Sequence, residues 1–127
     1  MAASAAKRNT ARTAHRLRRL VALESTAVIL EIADIRIAPG QQTAFDEAIQ
    51  RGLTSVISQA KGVRGWKVNR GVENPERYVL MIFWETLEDH TVGFRQGPLF
   101  PQWRAIVGPF FAVPPVVEHF TLVGKSG

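Results

Sequence analysis

The chain has 127 residues, no cysteine and a formal net charge of +5 at pH 7. That length suits one domain with its own core rather than two. Without cysteine there is no disulfide, thiolate zinc site, iron–sulfur ligation or cysteine nucleophile.

The charge is unevenly placed. Residues 1–25 carry six Lys/Arg against Glu24 alone, and the remaining residues carry ten basic and ten acidic side chains. The surplus that suggests a nucleic-acid partner therefore belongs to a basic tail over 1–25, expected to be disordered, and the domain at 26–127 is neutral. A transit-type address, implying organellar import, and a basic arm for nucleic acid or anionic lipid are open alternatives for that tail. No secretory h-region follows the tail charges, and no run of about 18 apolar residues occurs. The expectation is a cytoplasmic protein with no membrane span and no nucleic-acid partner.

Residues 28–37 (VILEIADIRI) read as a strand, largely apolar but with Glu31, Asp34 and Arg36 inside it. Ala38-Pro39-Gly40 stops it. Residues 41–60 repeat apolar side chains at helical spacing, Phe45, Ile49, Leu53, Val56 and Ala60, which predicts a helix of about five turns. Gly62 suits a left-handed C-cap, and Gly52 in the apolar stripe suits close approach of the helix to a sheet. Residues 65–71 and 77–85 form a hairpin around Asn74-Pro75. Thr86 suits the N-cap of a helix over 87–94. Gly97-Pro98 breaks that helix, a second segment covers 100–107, and 116–123 is the last strand.

The order βαββαβ predicts an α+β, ferredoxin-like fold: a four-stranded antiparallel sheet with both helices on one face. The third strand is apolar on both faces, with Tyr78, Leu80, Ile82 and Trp84 on one and Val79, Met81 and Phe83 on the other. A sheet with one wet face alternates apolar and polar residues. A second copy is the natural cover, so a homodimer is expected.

From Ile29 to Val123 the chain resembles the antibiotic biosynthesis monooxygenase (ABM) domains of the dimeric α/β-barrel superfamily. The resemblance rests on EIADIRIAPG before an amphipathic helix, the junction YVLMIFWETLEDH, the segment GFRQGPLFPQW and the ending VVEHF. It implies a dimeric α/β barrel with a pocket between sheet and helices. It also implies, for some members, oxidation of aromatic polyketides or quinols by O2 without metal or flavin. A small aromatic or apolar molecule and O2 are then the expected partners, with no cofactor and no metal.

His90 and Phe94 lie four apart on one helix face, which makes His90 a candidate general base and Phe94 a pocket wall. Arg104, beside Trp103 in the second helical segment, is a candidate partner for a substrate oxyanion. The resemblance adds Trp84 as a pocket tryptophan at the end of the third strand. It also marks a departure: Leu80 stands where the cofactor-free enzymes often carry an asparagine. Trp66 and Asn69 on the second strand are three apart and face opposite ways, so at most one lines the pocket. The haem-degrading branch needs an asparagine and a ligand histidine where this chain has Ala33 or Asp34, and Arg104. His119 reads as structural or interfacial, and the histidines have no metal-ligand spacing. Each assignment has a structural alternative: core packing for Trp84, a solvent-bonded helix residue for His90 and a solvated charge for Arg104. A non-catalytic barrel binding a small apolar ligand stays open beside the enzyme.

Overall fold

A computed structural model describes residues 28–127. The basic tail at 1–25 lies outside the described residues. Strand β1 (Ile29–Arg36) leads into helix α1 (Gln42–Ser55), followed by the hairpin of β2 (Val63–Arg70) and β3 (Arg77–Trp84). A π-helical turn (Asp89–Phe94), helix α2 (Leu99–Val107) and strand β4 (Val116–Thr121) complete the order. The four strands form one antiparallel sheet in the order β2-β3-β1-β4, the ferredoxin-like arrangement the sequence predicts.

Alternation along the strands sets which residues meet the helices. Ala33 and Ile35 of β1, and Tyr78, Leu80, Ile82 and Trp84 of β3, are buried with Phe45, Ile49 and Leu53 of α1. The opposite face carries Leu30, Ile32, Val79, Met81 and Phe83, all only half-buried. Phe120 and Val116 of β4 pair with Leu30 and Asp34 on that same face and are 44% and 62% exposed.

The first helix is shorter than its apolar stripe. It ends at Ser55, a short 3-10 turn covers Ile57–Gln59, and Ala60 is extended. Thr54 Oγ1, Ser55 Oγ and Ser58 Oγ donate to the carbonyls of Gln50, Arg51 and Thr54 at 2.9, 2.6 and 2.5 Å. Such hydroxyl bonds compete for helix carbonyls and loosen a last turn. The stripe still holds, because Val56 and Ala60 remain buried. Gly62 has φ +89°, the left-handed value expected of it. Gly52 differs from expectation in its neighbour. A Cβ there would meet Trp103 Cζ3 of α2 at 2.8 Å, so the glycine admits the second helix rather than the sheet.

Candidate active site

The chain places its least affordable polar groups at one end of the sheet. Glu31 and His90 are the buried polar or charged residues among those described, at 5% and 3% exposure. Burying such groups is unfavourable unless they find partners. Trp84 supplies one: its Nε1–H donates to Glu31 Oε1 at 2.8 Å. Its indole also stacks on the His90 ring, with centroids 4.9 Å apart and planes 24° off parallel. Phe94 packs against both, its centroid 6.1 Å from that of His90 and 5.7 Å from that of Trp84, so the three rings form a triangular cluster.

His90 faces a polar partner at each nitrogen. Its Nε2 is 3.3 Å from Glu31 Oε1 and its Nδ1 is 2.7 Å from Nε2 of His119 on β4. The register explains the meeting, since Glu31 pairs directly with His119 across β1 and β4. His90 and His119, far apart in the sequence, are thus neighbours in the fold. Of the two facing nitrogens one donates its N–H and the other accepts, and among the described residues no group of three or more His, Cys, Asp or Glu is set to hold a metal ion.

Burial pushes the Glu31 carboxyl up to about 7, with the Trp84 bond and the Arg95 charge opposing the rise. Burial lowers His90 to about 4, helped by the charge of Arg95 and by His119. Both shifts disfavour charge. Between pH about 4 and about 7 both groups are therefore neutral, and the 3.3 Å contact joins two uncharged groups rather than an ion pair.

The pair borders a cavity of about 210 Å³ between the sheet and the helical segments. Ala33, Ile35, Leu80 and Ile82 make an apolar floor, and Phe94, Phe100 and Trp103 make an aromatic wall. Arg95 and Arg104, both exposed, stand at its open side. The Arg104 guanidinium lies 5.8 Å from the centroid of the Phe100 ring, a cation–π distance.

The cavity gathers five of the residues singled out in the sequence: His90, Phe94, Trp103, Arg104 and Leu80. Trp84 stands behind His90 rather than on the lining and is fully buried. Trp66 pairs with Ile82, half-buried on the helix-facing side but off the lining, and Asn69 pairs with Val79 on the opposite face. Glu31, Arg95 and the His119 contact are additions. Glu31 had a visible signal, an acid inside an apolar strand. Arg95 had none under α-helical spacing, which turns it away from His90. The π turn changes that: the Arg95 backbone N–H bonds to His90 O at 3.0 Å, and Arg95 joins His90 on the cavity lining. Such turns are rare and recur at functional sites.

The ABM family model, described as antibiotic biosynthesis monooxygenase, matches residues 28–106. The chain belongs to that family. An ABM-family protein of Bordetella bronchiseptica is 38% identical, with TM-score 0.72 over 76% of this chain and 97% of its own. The uncharacterized protein YczJ of Bacillus subtilis (strain 168) is 36% identical over 93 residues, 73% of this chain and 97% of its own. The ActVA-Orf6 monooxygenase of Streptomyces coelicolor, solved with the ligand nanaomycin D, shares the fold at 17% identity, with TM-score 0.67 over 80% of this chain and 93% of its own. The pocket here lies on the helix-covered face of the sheet. Among the described residues no helix is long and apolar enough to cross a membrane.

Proposed function

We propose that the protein is a cofactor-independent monooxygenase that oxidises a small phenol, quinol or polyketide-like substrate with O2, acting as a homodimer. The observation that carries this reading is a near-neutral Glu31–His90 pair on an aromatic-walled cavity with two guanidiniums at its open side. Removing a proton from a phenol or enol makes an electron-rich anion. That anion can pass an electron to O2, and recombination with superoxide gives a peroxide. Loss of water leaves a carbonyl, so a methylene and O2 become a ketone and H2O.

The parts divide this work. A base is most effective with a pKa near the working pH, which favours the Glu31 carboxyl over the weakly basic His90. Arg104 and Arg95 would stabilise the oxyanion. Phe94, Phe100 and Trp103 would hold the ring and exclude water. Size narrows the substrate: an apolar cavity of about 150 Å³ holds benzene, so about 210 Å³ suits one or two rings. The half-buried apolar sheet face around Ile32, Met81 and Phe83 supports a second copy as its cover.

The second reading is a barrel that binds a small apolar ligand without turnover. Leu80 on the floor favours it, because no amide stands there to orient a substrate carbonyl. The deciding experiment is O2 uptake with a panel of one- and two-ring hydroquinones and naphthols, comparing wild type with His90→Ala and Trp84→Phe. The monooxygenase reading expects turnover that falls in both variants. Ligand retention in native mass spectrometry with no uptake across the panel would leave the binding reading.

A further inference from the structure

One arrangement at this site extends past the pocket wall. Glu31 and His90 border the cavity, but His119 does not; it lies on the edge strand β4 and is half-exposed. The contacts run in one line, from Glu31 Oε1 to His90 Nε2 at 3.3 Å, then from His90 Nδ1 to His119 Nε2 at 2.7 Å. We infer that Glu31, His90 and His119 form a proton relay that carries a proton from the pocket to the outer edge of the sheet without using the pocket's open side.

Each step conserves atoms and charge. A substrate O–H or C–H bond breaks and its proton joins the Glu31 carboxylate, leaving a substrate anion. The protonated carboxyl gives its proton to His90 Nε2 while His90 Nδ1–H gives its own to His119 Nε2. His119 is then an imidazolium and releases its Nδ1 proton to water. Glu31 ends as a carboxylate, and both rings end neutral with their protons on Nε2. A second substrate proton cannot follow until the rings return to the Nδ1 form, either by reverse passage of a proton or by tautomer exchange through water. An imidazole conducts in this way because one nitrogen accepts as the other donates.

The surroundings suit transfer rather than storage. Trp84 stacks on the His90 ring and Phe94 packs against both, which holds the imidazole with its two nitrogens facing Glu31 and His119. Trp84 Nε1–H holds Glu31 Oε1 in place. The charged side chains facing the line are Arg95, whose field reaches Glu31, His90 and His119, and Arg104 across the cavity. Arg95 lowers the basicity of both histidines, so neither traps the proton as a lasting imidazolium. The 3.3 Å step is long for a hydrogen bond, and contacts of this kind commonly tighten when substrate binds. The inference rests on the monooxygenase reading only for the source of the proton.

The test needs no turnover. Ring nitrogen NMR of ¹⁵N-histidine-labelled protein reports which nitrogen of His90 carries the proton. Raising the pH from about 5 to about 9 is expected to move it from Nδ1 to Nε2, with the midpoint of the Glu31 carboxyl carbon. In Glu31→Gln the amide oxygen takes the place of Oε1, which both Trp84 Nε1 and His90 Nε2 face, and accepts from each. It is expected to hold His90 in the Nε2–H form at every pH. His119→Phe is expected to slow exchange of the His90 ring proton with water at least tenfold. A fixed His90 tautomer in wild type, a switch that survives Glu31→Gln, or unchanged exchange in His119→Phe would overturn the relay. If all three results hold and no substrate consumes O2, the relay stands and the monooxygenase reading falls. If O2 is consumed with a fixed tautomer, the relay falls alone.

Discussion

The Trp84 indole and the His90 imidazole stack at 4.9 Å, and the same indole donates its N–H to Glu31. One tryptophan thus positions the base and holds the ring beside it. Trp84→Phe keeps an aromatic surface and removes the donor. Because the Trp84 bond lowers the Glu31 carboxyl, its loss is expected to raise that titration further, readable by carboxyl-carbon NMR. A hydrogen bond to a charged group contributes about 1.5–3 kcal/mol and one to a neutral group about 1 kcal/mol. The stability loss measured by urea denaturation is therefore expected to be larger at pH 8.5, with Glu31 ionised, than at pH 5.5.

The two buried titrations oppose each other. Glu31 rises from 4.5 to about 7, so the stability of its protonated form is complete below 4.5 and lost as pH climbs through 7. His90 falls from 6.5 to about 4, so its contribution is complete above 6.5 and lost as pH drops through 4. Between 4.5 and 6.5 the slopes cancel and wild-type stability is expected to be flat. Glu31→Gln uncovers the His90 slope, a rise of about 3 kcal/mol between pH 4 and 6.5 at about 1.4 kcal/mol per unit. His90→Gln uncovers the opposite slope, a fall of similar size between pH 4.5 and 7. Urea denaturation across this range reads both.

Helix propensity and packing disagree at Gly52. Alanine in a helix is favoured over glycine by about 0.5–1 kcal/mol, which is the expected gain for Gly93→Ala, whose new methyl would have only Glu88 O at 3.8 Å. At Gly52 the methyl would meet the Trp103 ring at 2.8 and 3.0 Å. Gly52→Ala is expected to destabilise by about 1–3 kcal/mol through overpacking and to push Trp103 into the cavity. Thermal denaturation of the two variants should shift in opposite directions.

Arg104→Ala is expected to lower kcat/KM by about 10²-fold, the scale of losing one oxyanion donor, with Arg104→Lys recovering part of it. Arg95→Ala has a separate signature. Its charge lowers Glu31, His90 and His119, so all three titrations are expected to rise. Steady-state kinetics and NMR titration distinguish the two arginines.

The half-buried face of the sheet gives a test of assembly. Phe83 and Met81 project from it at the centre of β3. Phe83→Glu combined with Met81→Glu is expected to convert a dimer into a monomer in sedimentation equilibrium. An unchanged sedimentation mass would place any dimer contact elsewhere.

The sequence by itself determined the order of elements, the faces of the strands and the breaks between helical segments. Alternation in RYVLMIFW, the stripe from Phe45 to Val56 and the Gly-Pro pairs are local patterns, and local sterics and burial decide them. It also marked His90, Phe94, Trp103 and Arg104, because a helix face is readable from spacing. The tertiary structure alone decided which polar groups meet. Glu31, His90 and His119 come from three elements distant in the chain, and the β1–β4 register and the π turn bring them together. Alternation tells which face a side chain takes, but not which residue of another strand lies opposite it. That is a question of register, settled by the packing of the whole sheet. The same holds for Arg95, which reaches the pocket through a hydrogen-bond pattern that no α-helical period contains.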